Sequence, residues 1–168
     1  MNKIWAPWRI KYIQNNKKIK KCVLCFAFKN KRLDKNNFVI LRGKHSFSLL
    51  NIYPYNNGHF MICPNRHVKK LEQLNSNEIL DLFEVIKKTK RLTHKVLKPE
   101  GYNMGINLGK ISGAGIDNHL HLHVVPRWKG DTNFMPIIAN TKIISQSLKA
   151  LYEELINADK RRNRKKRR

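Results

Sequence analysis

Short apolar runs separated by polar turns occupy the first third of the chain after residue 37. They lie at 38–41 (FVIL), 47–53 (FSLLNIY) and 59–64 (HFMICP), and each reads as a β-strand. The stretch PYNNG, residues 54–58, is a strong turn signal between the last two. The period then changes. Asn75 is a candidate N-cap with Glu78 three residues on, the pattern of a capping box. Behind it Ile79, Leu82, Phe83, Ile86, Val96 and Leu97 recur at helical spacing, and Pro99 and Gly101 end the helix. Residues 102–109 (YNMGINLG) read as a strand, 110–118 (KISGAGIDN) as a glycine-rich turn, and 119–125 (HLHLHVV) as a strand ended by Pro126. A second amphipathic helix is expected over 141–158, with Ile144, Leu148, Leu151, Tyr152 and Leu155 facing inward. Residues 1–37 read as irregular, with Trp5, Pro7 and Trp8 packed. Hairpins around one long helix predict an α+β domain built on an antiparallel sheet. The domain is expected to span 1–159, followed by a basic tail at 160–168.

Composition narrows the class. The chain has 168 residues and 41% apolar residues, enough for one domain with a real core. No apolar run approaches the roughly 18 residues of a membrane span. The start, MNKIWAPWRIKYI, has no apolar core segment and no small-residue cleavage site, so no secretory signal is expected. Three cysteines, two of them in one CxxC, do not form a disulfide framework, which points to a reducing compartment and a cytoplasmic location. The net charge is +24, and eight of those charges lie in KRRNRKKRR, residues 160–168. The remaining domain is still basic, so its surface attracts polyanions such as nucleotides and nucleic acid.

The densest chemistry is in 117–128, DNHLHLHVVPRW. Strand alternation puts His119, His121 and His123 on one face and Leu120, Leu122 and Val124 on the other. Imidazoles in a row serve either as a nucleophile toward phosphorus or as metal ligands. The glycines before them, Gly109 to Gly115, can bring backbone N–H groups near phosphate oxygens, but their spacing is not a nucleotide-loop motif. Cys22 and Cys25 form a lone CxxC, which is ambiguous between zinc and redox chemistry. Cys63 reads as a core residue, His45 as a strand residue and His94 as a helix-surface residue.

The segment HLHLHVVPRW resembles the signature of the histidine triad family. IWAPWRIKYI, CVLC, LLNIYPYNNGHFMICPNRH, GYNMGINLG and SGAGIDNHLHLHVVPRWKGDTNFMP resemble the bacterial branch acting on dinucleoside polyphosphates. The resemblance implies a nucleotidyl hydrolase or phosphorylase, built as a homodimer that shares a continuous sheet. It makes His121 the nucleophile, places His123 at the phosphates and puts His59 beside the nucleophile as a relay. It gives Asn51 the ribose-binding place and puts Asn107 near the phosphates. It also supplies zinc ligands to join Cys22 and Cys25: His67 and His119, in a structural site anchoring residues 1–37.

One departure stands out. Family members commonly carry Gly-Gln-Ser or Gly-Gln-Thr before the triad, whereas this chain has Gly115-Ile116-Asp117-Asn118. Ser112, Gly113 and the loop backbone are expected to substitute. The acceptor, water or phosphate, leaves no motif. Two other functions compete: removal of adenylate from nucleic-acid ends, and a non-enzymatic zinc protein that binds nucleic acid through its basic surface.

Overall fold

The computed structural model describes residues 22–131 and 144–166. Among them, five strands form one antiparallel sheet: β1 (Val39–Arg42), β2 (Ser46–Leu50), β3 (Phe60–Pro64), β4 (Gly101–Ile106) and β5 (Leu122–Arg127). Their spatial order is β1-β2-β3-β5-β4, so β5 crosses back to lie between β3 and β4. The long helix α2 (Ser76–Leu97) and the C-terminal helix α3 (Leu148–Lys166) share one face of the sheet. A short helix α1 (Val23–Lys29) covers part of the other. The α+β architecture follows the hydrophobic pattern.

Strand alternation sorts the two faces. Leu50, Phe60, Ile62 and Val124 pack with Leu82, Val85, Ile86, Leu92, Leu151 and Leu155 under the helix pair. Their neighbours Phe47, Leu49, Met61 and Cys63 point the other way, against Leu24 and Ala27 of α1. Phe47 and Phe60 are fully buried, and truncating either to alanine removes about 3–5 kcal/mol.

Helix α2 starts where the capping box predicts. The Asn75 side chain accepts from the Glu78 N–H at 3.0 Å, and Glu78 Oε2 accepts from the Asn75 N–H at 3.0 Å. Arg66 holds Glu78 through two 2.9 Å bonds, and its pull lowers the Glu78 carboxyl to about 2. The helix ends at Lys98 in the left-handed region, φ 49°, just before Pro99. Its inward face differs from the expected one. Ile79 and Phe83 are exposed, while Leu82, Val85, Ile86, Thr89, Leu92 and Thr93 are buried. Two threonines complete that stripe because their hydroxyls are satisfied: Thr89 bonds Ser48 Oγ and Thr93 bonds the Thr89 carbonyl, each at 2.9 Å.

The β1–β2 turn is fixed to α2 by Asp81, which accepts from the His45 N–H at 2.8 Å and the Ser46 hydroxyl at 2.7 Å. His45 therefore sits in the turn and not in a strand. A Cβ on Gly43 would lie 2.6 Å from Asp81 Oδ2 and 2.6 Å from Val85 Cγ2, so only glycine lets the helix approach.

Three further boundaries move. Residues 22–37 are not irregular, since α1 and a 3₁₀ turn at Lys31–Leu33 occupy much of them. Strand β5 starts at Leu122 and runs through Pro126. The Pro126 carbonyl accepts from Asn56 on the β3 side, so its missing N–H faces where β3 has no pairing residue, and no ladder bond is lost. Helix α3 begins at Leu148, leaving Ile144 outside it, and continues to Lys166 through most of the basic run. Residues 1–21 with Trp5, Pro7 and Trp8, and 132–143 with the expected helix start, lie outside the described residues.

Candidate active site and metal cluster

The three histidines expected to be catalytic converge from two strand starts. His59 immediately precedes β3, and His121 and His123 flank the first residue of β5. All three project to the sheet face opposite α2 and α3. His59 Nε2 lies 3.0 Å from His123 Nδ1, and the His121 and His123 rings sit edge to face at 4.8 Å. His59 and His121 are buried and His123 is half-buried. Gly105 is the register partner of His123 on β4, and a Cβ there would meet nothing within 4 Å. Open space therefore adjoins His123.

Hydrogen bonds to backbone groups of fixed polarity set the tautomers. The Tyr55 N–H donates to His59 Nδ1 at 3.0 Å, and the Asn51 amide NH₂ also faces that nitrogen at 3.4 Å. Neutral His59 thus carries its hydrogen on Nε2 and donates it to His123 Nδ1. Neutral His123 carries its hydrogen on Nε2. His121 Nδ1 donates to the His119 carbonyl at 2.9 Å, which leaves His121 Nε2 with a free lone pair.

Burial keeps all three neutral. It pulls His59 down to about 3, with His123 and His121 adding to the effect. Burial, then His121, pulls His123 down to about 4. Burial lowers His121 too, opposed by its bond to the His119 carbonyl. An unprotonated nitrogen is what an attack on phosphorus requires.

The residues expected to contact substrate are less concentrated. Asn51 is buried beside His59, with its Oδ1 accepting from the Tyr53 N–H at 2.9 Å. Asn107 follows the end of β4, two residues beyond Gly105. Ser112 and Gly113 lie in an exposed loop turned on itself. The Ser112 hydroxyl donates to the Gly109 carbonyl at 2.7 Å, and the Gly113 N–H to the Lys110 carbonyl at 3.1 Å. Both donors are thus used within the loop itself.

Sequence reasoning missed Tyr55. It supplies the N–H that fixes His59, and its ring stacks on His59 with centroids 4.8 Å apart and planes at 29°. The signal was its place four residues before His59 in a stretch read only as a turn.

The second cluster brings together all four expected ligands. Cys22 caps α1 and Cys25 lies in its first turn. The Leu120 N–H donates to the Val68 carbonyl at 2.7 Å, which draws the segment carrying His67 toward His119 in place of further β-pairing. Sulfur–nitrogen distances are 3.3 Å for Cys22–His119, 3.4 Å for Cys25–His119 and 3.2 Å for Cys25–His67. All four donor atoms lie within 4.8 Å of one another. His119 Nε2 donates to the Pro64 carbonyl at 3.0 Å, so its Nδ1 lone pair faces the sulfurs. A tetrahedral Cys₂His₂ zinc ion has sulfur–nitrogen edges of about 3.5 Å, so these residues fit one. Without a cation, burial followed by Cys22 pushes the Cys25 thiol up to about 11. A bound ion would hold it as thiolate. Cys63 is fully buried behind the cluster, as expected of a core cysteine.

Residues 32–130 match the family described as the HIT domain. Over 155 residues the chain is 37% identical to the AP-4-A phosphorylase of Mycobacterium tuberculosis, covering 89% of this chain and 80% of that one. Over 93 residues it is 34% identical to the asymmetrical bis(5′-nucleosyl)-tetraphosphatase of Schizosaccharomyces pombe, covering 55% of this chain and 50% of the relative. A Zn-bound histidine triad family protein from Mycobacterium smegmatis shares the fold, with TM-score 0.66, 23% identity, and coverage of 85% of this chain and 96% of that chain.

Proposed function

The chain belongs to the HIT domain family, and from that premise we propose that it cleaves dinucleoside polyphosphates through a nucleotidyl-histidine intermediate. The observation that carries the reading is the free Nε2 lone pair of a neutral, buried His121, oriented by the His119 carbonyl. In the proposed step, Nε2 bonds to the α-phosphorus and the bond to the leaving polyphosphate oxygen breaks. The imidazole then bears positive charge, which the Nδ1–H bond to the His119 carbonyl stabilises. The His123 Nε2–H donates a hydrogen bond to the phosphate oxygens. The leaving phosphate is a stable anion near neutral pH, so it needs no full proton transfer. His59, held by Tyr55 and Asn51, positions His123. In the second step the acceptor oxygen attacks phosphorus and His121 leaves with its electron pair.

The acceptor we assign is inorganic phosphate. The relative aligned over 89% of the chain is named a phosphorylase, whereas the tetraphosphatase aligns over 55%. Asn51 and Asn107 are the assigned substrate contacts, with Ser112 and Gly113 joining only if the loop opens.

Cys22, Cys25, His67 and His119 are assigned to a structural zinc ion that ties α1 to the catalytic strand. The rest of the reading is a domain over 1–159 in the cytoplasm, paired as a homodimer through β4. Exposed Met104 and Leu108, and the outer side of β4 left unpaired among the described residues, support that pairing. The basic run at 160–168 adds affinity for polyanions, nucleic acid among them.

The test is product analysis with diadenosine tetraphosphate. Formation of ADP and ATP that depends on added phosphate is expected. AMP formed regardless of phosphate would make the enzyme a hydrolase, and no turnover would remove the reading.

A further inference from the structure

Helices α2 and α3 meet at a shallow groove on the face of the sheet away from the histidines. Arg91 and Lys95 line it from α2, and Ala158 and Arg161 from α3. Ala158 is buried at its floor, while Arg91, Lys95 and Arg161 are exposed along it. The cations continue in both directions. Residues 85–98 of the α2 region hold six Lys or Arg and no acid, and residues 160–166 of α3 hold six in seven.

Acidic side chains are outnumbered there. Glu84 pairs with Lys87 at 2.7 Å and Glu153 with Lys35 at 3.1 Å. Glu154 lines the groove and keeps its charge, since it accepts from the neutral Gln146 amide at 2.8 Å. Arg91, Lys95 and Arg161 on the lining outnumber that one carboxylate three to one.

Spacing matches a phosphodiester chain. Exposed Lys88, Arg91, Lys95 and Lys98 recur at intervals of three and four residues. Four helical residues rise about 6 Å, close to two phosphates along one duplex strand at about 3.4 Å each. A bilayer surface fits less well. The apolar residues of α3, Leu151, Tyr152, Leu155 and Ala158, are consumed by the core, so the helix has no apolar face to insert.

We propose that the α2–α3 groove is a second binding site, separate from the histidine site, for the sugar–phosphate backbone of nucleic acid. It reads no sequence, because these are phosphate contacts on a helix pair that presents no base-reading element. It extends the polyanion contact assigned to the basic run from a tail to a built surface.

The experiment uses the full chain with fluorescently labelled RNA and DNA duplexes of about 20 base pairs, titrated across salt concentrations. The substitutions R91Q, K95Q and R161Q together are expected to weaken binding at least about tenfold and to lower the salt slope by about 3, one per cation removed. Turnover of diadenosine tetraphosphate should not change, since no substituted residue lies near His121. The melting temperature confirms folding, and each single variant should lower the slope by about 1. Unchanged affinity in the triple variant, with loss only on deleting 160–168, would overturn the groove and leave the tail contact standing. Binding to phosphatidylserine vesicles but not to either duplex would also overturn it. A wild-type protein that binds duplexes but turns over no dinucleotide would sink the enzymatic reading and leave the groove.

Discussion

His119 and His121 are two residues apart and both buried, yet they present opposite nitrogens to their partners. His119 gives its Nε2 hydrogen to the Pro64 carbonyl and turns the Nδ1 lone pair to Cys22 and Cys25. His121 gives its Nδ1 hydrogen to the His119 carbonyl and keeps the Nε2 lone pair free. One imidazole thereby offers a lone pair toward two thiols, and the other keeps a lone pair free for the proposed attack on phosphorus. The difference is set by which backbone carbonyl each ring meets and not by residue type. The two sites are also linked in series, since the carbonyl that orients His121 belongs to the residue that faces the thiols.

The largest effect should come from the free nitrogen. His121→Asn should remove turnover of diadenosine tetraphosphate by orders of magnitude while nucleotide binding persists, as read by steady-state rates and by calorimetry. Near-normal turnover would show that the lone pair at His121 is not the attacking group.

A smaller effect should come from the other site. Purified protein should carry about one zinc per chain by metal analysis. Cys22→Ser should lose the metal and about 3 kcal/mol of stability, a melting shift on the order of 10 °C. Turnover should fall less than in His121→Asn, through loss of order at His119. If chelation leaves the melting temperature unchanged, the two sites are not linked as described.

The smallest effect concerns pH. His59 and His123, held at about 3 and about 4, stay neutral where a free histidine near 6.5 would charge. Both folded values lie below the unfolded one, so the stability they confer is complete above 6.5. It is lost progressively as pH falls through about 4 and about 3. Melting temperature should decline over that window, while turnover should not drop across 6.5. A turnover loss centred at 6.5 would place ordinary, exposed imidazoles in the site.

Much of this was legible in the sequence where chemistry concentrates in one motif. Alternation along 119–123 put three histidines on one face, and the family resemblance joined His67 and His119 to an otherwise ambiguous CxxC, a donor set that the fold brings together. The pattern failed where side chains act against type. Thr89 and Thr93 are core residues because Ser48 and a helical carbonyl satisfy them, so the apolar Ile79 and Phe83 gave α2 the wrong phase. Pro126 stays inside β5 because its nitrogen faces the side where β3 pairing has ended, a fact of sheet order and not of local sequence. The internal bonds of Ser112 and Gly113 depend on the path of a loop whose composition allows many. Tyr55 acts through its backbone N–H, so its residue type carries no sign of the bond and only its place four residues before His59 points to it.

Covalent attack by His121 Nε2 is the step on which the proposed chemistry depends. The most direct measurement is intact-protein and peptide mass spectrometry after rapid mixing with diadenosine tetraphosphate in the absence of phosphate. An adenylyl group on His121, acid-labile and discharged as ADP when phosphate is added, is the predicted result. Turnover in the wild type with no adduct trapped on His121, or the same adduct formed in His121→Asn, would contradict it.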